Sequence, residues 1–483
     1  MDFKTITRIL GVLLVLFSAT HLPPVLVSWI YQDGNAFSFI AIFIGTLLMG
    51  LLFWLPGKSH HHELRYRDGF VVVVLFWTVL GLFGAFPFYL SAQASLSVTD
   101  AFFESMSGLT TTGATVIPNL EEMPKSILYY RQQLQWLGGM GIVVLAVAIM
   151  PMLGVGGMQL YRAETPGPMK DSKLKPRITE TAKALWYLYF GLTVICAIAY
   201  WLAGMDAFDA ICHSFSTIAI GGFSTHDQSI GFFNSSLIET VAIVFMLLAS
   251  ANFSLHFLAF KSRSLLRYIR DSEYIAFLTI LLISTIIICL LLITSKVFPS
   301  AIEGFQQGIF HVVSVATTTG FTSSGFAWWP GVLPLLLIVG SFVGGCAGST
   351  AGGIKVMRIQ LLYKQGKREI VRLVHPNALL SIKLGNHVIN ENVISGVWAF
   401  FSLYILSFVM ISLALCAVGT DWVTAFSAAA ACLNNLGPGL GEVAENYTAL
   451  SNSAKWILTF AMLLGRLELF TLLVLFTTTF WRN

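Results

Sequence analysis

Residues 100–113 read DAFFESMSGLTTTG, and the rest of the chain is arranged around this segment and its repeats. It is too short and too polar to cross a bilayer, yet it lies between two long apolar runs. Similar stretches recur, each ending in glycine: DAICHSFSTIAIGG at 209–222, QGIFHVVSVATTTG at 307–320 and TAFSAAAACLNNLG at 424–437. Four copies of a half-membrane segment predict a four-fold pore within one chain.

The composition is that of a polytopic membrane protein. Of the 483 residues, 56% are hydrophobic and only 11% are charged, and the mean hydropathy is +0.77. The N-terminal apolar run lacks a cleavage site, so we interpret it as a retained transmembrane helix. Six cysteines form no CxxC pair, which argues against a disulfide framework or a zinc site.

Ten apolar segments have the length that a membrane-spanning helix needs. They are 9–31, 37–55, 70–92, 126–151, 183–203, 235–260, 274–295, 331–357, 392–418 and 454–480. The first two predict a hairpin, and the other eight form four pairs that each bracket one half-membrane segment. The predicted fold is therefore an all-α polytopic membrane protein with four pseudo-repeats of helix, re-entrant pore loop and helix around a central pore. The predicted divisions are the hairpin and loop (1–69) and the repeats 70–182, 183–273, 274–391 and 392–483.

Charge predicts the orientation in the membrane. All but five of the 28 Lys and Arg residues fall on one side, which the positive-inside rule assigns to the cytoplasm together with both termini. The loops on the other side are acidic and predict an outer vestibule that concentrates cations. Alternatively, the acidic loops merely follow from the positive-inside rule. We expect Arg131, near the start of its helix, to extend toward the outer interface.

Each re-entrant segment is expected to be a short helix followed by an extended return strand. Asp100 and Asp209 are predicted N-caps, and Asp421 is the expected cap of the fourth helix. The strands would present backbone carbonyls to a desolvated monovalent cation, and the helix C-termini would direct their negative dipole ends at it. The predicted ion-binding residues are Thr111, Thr112, Gly113, Ile220, Gly221, Gly222, Thr318, Thr319, Gly320, Asn435, Leu436 and Gly437. Glycines at helix–helix contacts are the alternative, since glycine is common in transmembrane helices.

These motifs resemble those of the Trk/Ktr/HKT superfamily of potassium transporters. The segment ends TTTGA, IGGFST, TTTGFT and NNLGPG carry the resemblance, and LYRAETPGP (160–168), GGCAGSTAGG (344–353) and GRLELFTLLVL (465–475) resemble the TrkH branch. The resemblance covers essentially the whole chain. It implies K⁺ translocation in a bacterial inner membrane by a homodimer that a cytoplasmic nucleotide-binding subunit of the TrkA type regulates. Glycine at all four filter positions goes with potassium preference in this family. The adjacent Gly221 and Gly222 leave the register of the second strand open by one residue, and the Asp209 alignment favours Gly222.

The glycine-rich stretch 344–353 would unwind a helix inside the membrane. The resemblance implies a gating loop below the filter, with Gly344, Gly345, Gly348, Gly352 and Gly353 as its residues. Arg466, a charge within the last apolar segment, is expected to hold that loop through its carbonyls or to form a positive barrier. The alternatives are a tightly packed helix face or a phosphate-binding loop for the stretch, and a structural ion pair for Arg466.

Other features predict less. The run His60, His61 and His62 is expected to be a solvated loop rather than a metal site. The basic segment 364–383 fits either anionic membrane lipid or an acidic partner. We find no catalytic constellation, so an enzyme is disfavoured, and we expect no nucleic-acid partner. A sodium-conducting relative and a secondary carrier with broken helices stay open as alternatives.

Overall fold

A computed structural model describes residues 3–55, 66–141, 178–378, 380–385 and 387–482 of the chain. Those residues are almost entirely helical. The helices are α1 Phe3–Ser18, α2 Leu22–Tyr31, α3 Ala36–Trp54, α4 Tyr66–Leu90, α5 Val98–Leu109, α6 Lys125–Trp136, α7 Ile178–Leu202, α8 Ala207–Ala219, α9 Ser236–Ala249, α10 Phe253–Ser262, α11 Leu266–Arg270, α12 Ser272–Thr294, α13 Ala301–Ala316, α14 Leu333–Gly340, α15 Val356–Val374, α16 Glu391–Ala417, α17 Trp422–Asn434, α18 Asn452–Arg466, α19 Phe470–Leu473 and α20 Thr478–Trp481. One antiparallel pair of two-residue strands, β1 Lys383–Leu384 and β2 His387–Val388, follows α15.

Six helical segments among the described residues are long and apolar enough to cross a membrane, and two further pairs qualify if each bent pair is one span. The six are Phe3–Tyr31, Ala36–Trp54, Arg67–Leu90, Lys183–Leu202, Ser272–Thr294 and Glu391–Ala417. The protein is therefore a multi-pass membrane protein, and the predicted all-α fold is confirmed. The short helices α5, α8, α13 and α17 stand between these spans and bury most of their residues, polar ones included.

The second helices of the repeats are not continuous, as the glycine-rich stretch predicts for the third repeat. The segment 331–357 holds only the eight-residue α14, because the glycine-rich stretch that follows is not helical. The segment 235–260 is bent by 92° between α9 and α10, and 454–480 is bent by 109° after Arg466. In 126–151, α6 gives way to a π-helical turn at Leu137–Gly141, and the rest lies outside the described residues.

The caps of the short helices also differ from the prediction. Asp421 does cap α17, but α5 is capped by Ser97 and α8 by Asp206. Asp100 and Asp209 lie inside the first turn, where each backbone N–H donates to the cap side chain. The Ser97 hydroxyl donates in turn to the Asp100 carboxylate at 2.7 Å. A short polar cap followed three residues later by an acid is the capping-box pattern, so the cap lies one turn earlier than the aspartates.

Candidate ion-conduction site

The four return strands share one backbone conformation although their side chains differ. Each strand has a residue in the left-handed region and, two positions later, a glycine with positive φ. The left-handed residues are Thr111, Ile220, Thr318 and Asn435, with φ of 55°, 54°, 65° and 55°. The glycines are Gly113, Gly222, Gly320 and Gly437, with φ of 80°, 77°, 83° and 96°. Such φ values favour glycine, which has no Cβ.

The hydrogen bonds at the start of the strands repeat as well. The residue before each filter glycine donates its N–H to a carbonyl in the last turn of its short helix. The four N···O distances are 2.9 Å for Thr112 to Ser107, 2.8 Å for Gly221 to Ser216, 2.8 Å for Thr319 to Ser314 and 2.8 Å for Leu436 to Ala431. Gly221 therefore occupies the position of Thr112, and Gly222 occupies that of Gly113.

The four glycines close a ring in the order of the repeats. An ideal Cβ placed on each glycine would meet the carbonyl oxygen that precedes the filter glycine of the next repeat. The distances are 2.1 Å from Gly113 to Gly221 O, 2.0 Å from Gly222 to Thr319 O, 2.0 Å from Gly320 to Leu436 O and 2.7 Å from Gly437 to Thr112 O. The last contact returns to the first repeat, so the four strands surround one axis.

This ring has the parts of a cation filter. Backbone carbonyls can replace the hydration shell of a monovalent cation, and the missing side chains let the strands approach this closely. The threonine hydroxyls do not form a second ring among themselves. The hydroxyls of Thr112 and Thr319 pair with those of Thr110 and Thr317, each at 2.8 Å, and Thr112 also accepts from Asn435 Nδ2 at 3.0 Å.

A cavity of about 580 Å³ reaches all four glycines and is lined by the loops that follow the return strands. Of the acidic residues in the outer loops, Asp227 and Glu445 line it directly. Other acids serve internal contacts instead. Asp100 accepts from Lys455 at 2.6 Å, and Asp209 pairs with His226 at 3.0 Å. Arg131 and His226 line the cavity as well, so it holds fewer carboxylates than the loops contain, and the acidic vestibule stays a prediction.

Arg131 does not extend to the interface as expected. Its side chain is fully buried and pairs with Glu104 at 2.7 Å. It also donates to Ser224 O and Thr115 Oγ1, both at 3.0 Å, and lies over the Phe223 ring. A buried charge requires partners, and here those partners lie behind the filter strands of the first two repeats. Arg131 therefore braces the chain that follows the first two filter glycines, at the wall of the cavity.

The position of Glu104 has a counterpart in two other repeats. His213 and His311 precede their filter glycines by the same interval, and each contacts the chain after its own strand. His213 Nε2 lies 2.9 Å from Ser224 Oγ, and His311 Nε2 lies 3.1 Å from Ser324 O. A buried polar residue thus contacts the chain after the return strand in three of the four repeats, with different chemistry, whereas the fourth repeat has Ala428 at this position. The sequence comparison missed this set because the residue types differ.

The glycine-rich stretch lies next to the filter, against the ends of the short helices that precede the filter glycines. Gly352 N donates to Thr318 Oγ1 at 2.8 Å, and Gly353 N donates to Asn434 O at 3.2 Å. An ideal Cβ on Gly352 would lie 2.0 Å from that same Asn434 oxygen. Thr350 Oγ1 donates to Ile218 O at 3.0 Å, at the end of α8. The loop thus contacts three of the four short helices or their strands.

The glycines of this stretch permit turns and close contacts rather than a helix face. Gly344, Gly348 and Gly353 have positive φ of 66°, 75° and 71°. An added Cβ would meet Ser250 O at 3.0 Å from Gly345 and Asn252 Oδ1 at 2.9 Å from Gly348. The packed-helix alternative is therefore excluded, since the stretch is not helical.

Arg466 reaches the filter, the loop and the first repeat together. Its Nη1 lies 3.2 Å from Thr111 Oγ1 and 3.3 Å from Thr350 O. Its Nη2 donates to the carbonyls of Gly138 and Gly139, the latter at 2.7 Å. The nearby Glu468 pairs with Arg358 at 2.7 Å. The structure thus places the guanidinium where a contact to the loop carbonyls was expected.

Glu273 is a loop contact that sequence reasoning missed. This buried carboxylate in the first turn of α12 accepts from Ala347 N at 2.7 Å and from Met357 N at 3.2 Å. One oxygen thereby holds the middle of the loop and the start of α15. An acid at the head of an apolar helix is the only local signal, and it is equally typical of an ordinary helix start. The residues His60–His62 and 160–168 lie outside the described residues.

Comparisons with known proteins agree with this geometry. The profile of a family described as "Cation transport protein", TrkH, matches residues 35–482. The chain is 57% identical over 483 residues to the Trk system potassium uptake protein TrkH of Escherichia coli strain K12, covering all of both chains. It is 42% identical to the Trk system potassium uptake protein TrkG of the same strain, covering 99% of both.

A solved structure extends the likeness to three dimensions. The crystal structure of the potassium transporter TrkH from Vibrio parahaemolyticus superposes with a TM-score of 0.91 at 54% identity, covering all of both chains. The family transports cations and is not one of enzymes, which confirms that expectation. The chain belongs to the TrkH family of cation transport proteins.

Proposed function

We propose that this protein takes up potassium through a selectivity filter made by its four return strands. The ring of glycines and neighbouring carbonyls carries the proposal, because it closes around one axis with all four repeats in register. K⁺ is the transported ion in this proposal, and the filter residues named above hold it in transit. Several related proteins are named potassium uptake proteins or a potassium transporter, which supports this choice of ion.

The path begins in the outer cavity, where Asp227 and Glu445 attract cations. At the filter the ion exchanges water for backbone carbonyls. The C-terminal ends of α5, α8, α13 and α17 precede the strands directly, so their dipoles favour a cation there. The ion then meets the loop 344–353 on the inner side, and the loop must move for the ion to pass.

That loop is the gate in this proposal. Its hydrogen bonds to Thr318 and Asn434 close the inner side of the filter, and Arg466 adds a positive charge beside it. A cytoplasmic nucleotide-binding subunit of the TrkA type would control the loop, and the protein would work as a homodimer in the bacterial inner membrane with both termini in the cytoplasm. The name "Trk system" of the relatives supports a multi-component transporter.

A potassium preference over sodium follows from glycine at all four filter positions. In the Trk/Ktr/HKT superfamily, serine at the position of Gly113 is associated with sodium transport. Here an added side chain at Gly113 would point at Gly221 O, a carbonyl of the ring. It would move that oxygen and change the size of the ring.

Rubidium-86 uptake into liposomes with the purified chain tests the proposal, with potassium or sodium as competitor. We expect competition by potassium alone, and weaker discrimination in Gly113→Ser. Equal competition by sodium would contradict the potassium filter. Rubidium flux could be absent both with and without a cytoplasmic subunit, while an organic substrate is carried. The hypothesis of a secondary carrier would then replace that of a potassium filter.

A further inference from the structure

The cytoplasmic arm, defined here as α10, α11 and their connection (residues 253–270), has an unusual surface. Four cationic side chains are exposed on or beside it, and none makes an ion pair within the described part of the chain: Lys261, Arg263, Arg267 and Arg270. Four large apolar side chains beside or between them are 56–79% exposed: Phe260, Leu265, Leu266 and Ile269. Exposed apolar and basic residues interleaved in this way are typical of helices that lie in a membrane interface.

The direction of the arm fits that location. α10 leaves the spanning helix α9 at 92°, so it runs across the direction of the span rather than along it. The arm thus follows the membrane plane at the end of a span, with its cations at the level of lipid headgroups. The positive-inside rule places this end at the cytoplasmic leaflet, which carries anionic lipid.

We propose that the arm binds anionic phospholipid headgroups and thereby sets the position of the gating loop. The four exposed cations indicate that the ligand is negatively charged. The exposed apolar side chains beside them indicate that it is a lipid. An acidic protein surface would satisfy the cations but would leave little reason for Phe260, Leu265 and Ile269 to project outward.

The arm joins the loop through a short elbow between α9 and α10. Cys346 N donates to Ser250 O at 2.9 Å, and Phe253 N donates to Gly348 O at 3.1 Å. The arm is also fixed within itself. His256 lies 2.6 Å from the Tyr268 hydroxyl in α11 and 2.8 Å from Leu248 O in α9. A displacement of the arm is therefore transmitted to the loop rather than absorbed at the elbow. This coupling rests on the proposed role of the loop as a gate.

Lipid contact can be measured without transport. We would label Ser262→Cys with a fluorophore in a Cys416→Ser background, because the other five cysteines are buried. The full-length protein is reconstituted into phosphatidylcholine vesicles in which about a third of the lipid is phosphatidylglycerol, with either lipid brominated. We expect stronger quenching by brominated phosphatidylglycerol, and loss of the preference in K261Q/R263Q/R267Q/R270Q. Each Lys or Arg near an anionic membrane surface increases the binding constant for that surface about fivefold.

Equal quenching by the two brominated lipids would overturn the proposal. So would an absence of quenching by either, which would place the arm against protein, such as a second copy or an acidic partner. K364Q/K367Q, two cations on α15, is the matched control and is expected to keep the preference at Ser262→Cys.

Rubidium-86 flux tests the coupling separately. Flux through the wild type is expected to change with the phosphatidylglycerol fraction, and flux through the quadruple variant is expected not to. Lipid preference with a lipid-independent flux would overturn the coupling and leave the potassium pathway intact. A lack of potassium-selective flux in every vesicle would instead contradict the proposed function, while the quenching result stands by itself.

Discussion

The outer and inner faces of the filter differ in symmetry: the outer face repeats one backbone conformation four times, and the inner face does not. On the outer face, the four strands repeat the same φ values and hydrogen bonds with the sequences TTTG, AIGG, TTTG and NNLG. On the inner face, the second helices of the repeats break in four different ways: a π-helical turn, a 92° bend, an open loop and a 109° bend. Ion coordination needs symmetry of the backbone, whereas a gate needs one element that can move.

The brace behind the symmetric face gives the largest expected effect. Arg131→Met would leave Glu104 buried without its cation, which costs about 3–5 kcal/mol of folding stability. Thermal unfolding of the purified protein in detergent measures the loss. Arg372→Met breaks the exposed pair with Glu369 and is expected to change stability by about 0–1 kcal/mol.

A double variant sharpens that result. Glu104→Leu combined with Arg131→Met removes both charges, so part of the stability should return. Equal unfolding temperatures for Arg131→Met and Arg372→Met would mean that the buried pair does not brace the filter.

The ring itself predicts the next effect. Gly222→Ala places a methyl group against Thr319 O, and the displacement costs about 1–3 kcal/mol. Selective rubidium uptake should fall by about tenfold to a hundredfold. Gly191→Ala, on α7 with open space around it, is the control and should leave uptake unchanged. If the two variants behave alike, the four strands do not form one close ring.

The asymmetric face predicts a smaller effect. Glu273→Gln keeps an acceptor for the loop but removes its charge, which weakens the two hydrogen bonds by about 1 kcal/mol. The loop should open more often, so basal rubidium flux should rise about fivefold with unchanged ion selectivity. The buried thiol of Cys346, within the loop, should also react faster with a polar thiol reagent.

Glu391→Gln is the control for this variant, because Glu391 pairs with Arg368 and makes no hydrogen bond to the loop within the described part of the chain. A loss of thermal stability without faster Cys346 labelling would indicate that Glu273 serves the fold and not the gate.

The smallest effect concerns pH at the outer cavity. Burial raises the pKa of the Asp227 carboxyl above the ordinary 3.8, and the neighbouring Glu121 carboxylate adds to the rise. On external acidification Asp227 is therefore neutralised early, and uptake should decrease modestly. In Asp227→Asn, uptake should be lower at neutral pH, and it should fall less than in the wild type when the external pH is lowered. An unchanged pH profile in this variant would exclude Asp227 from the effect.

Stability should move in the opposite direction to uptake. A carboxyl whose pKa is raised in the folded protein stabilises the fold when it is protonated. That contribution is complete below pH 3.8 and is lost as the pH rises through the folded pKa. The fall in uptake on acidification is thus not caused by unfolding through this group, which thermal unfolding measured across the same pH range can check.

Much of the site was predictable because its signals are local. A half-membrane segment ending in glycine can be recognised within fourteen letters of sequence, and the unwinding at 344–353 follows from the conformational freedom of glycine. The sequence did not predict the helix breaks that depend on a contact with a distant segment of the chain. The bend between α9 and α10, for example, lies where Ser250 and Phe253 bond to the loop.

Hydropathy and the spacing of the glycine-ended segments are properties of the chain alone, so the sequence predicted the membrane environment and the four repeats. The assignment of the filter residues stays a prediction. Only the tertiary structure decided that Gly222 rather than Gly221 faces the ring, that Arg131 is buried against Glu104 and that Glu273 holds the loop. Each of these depends on atoms from different repeats meeting in space. No periodicity within one repeat encodes which partner another repeat will present.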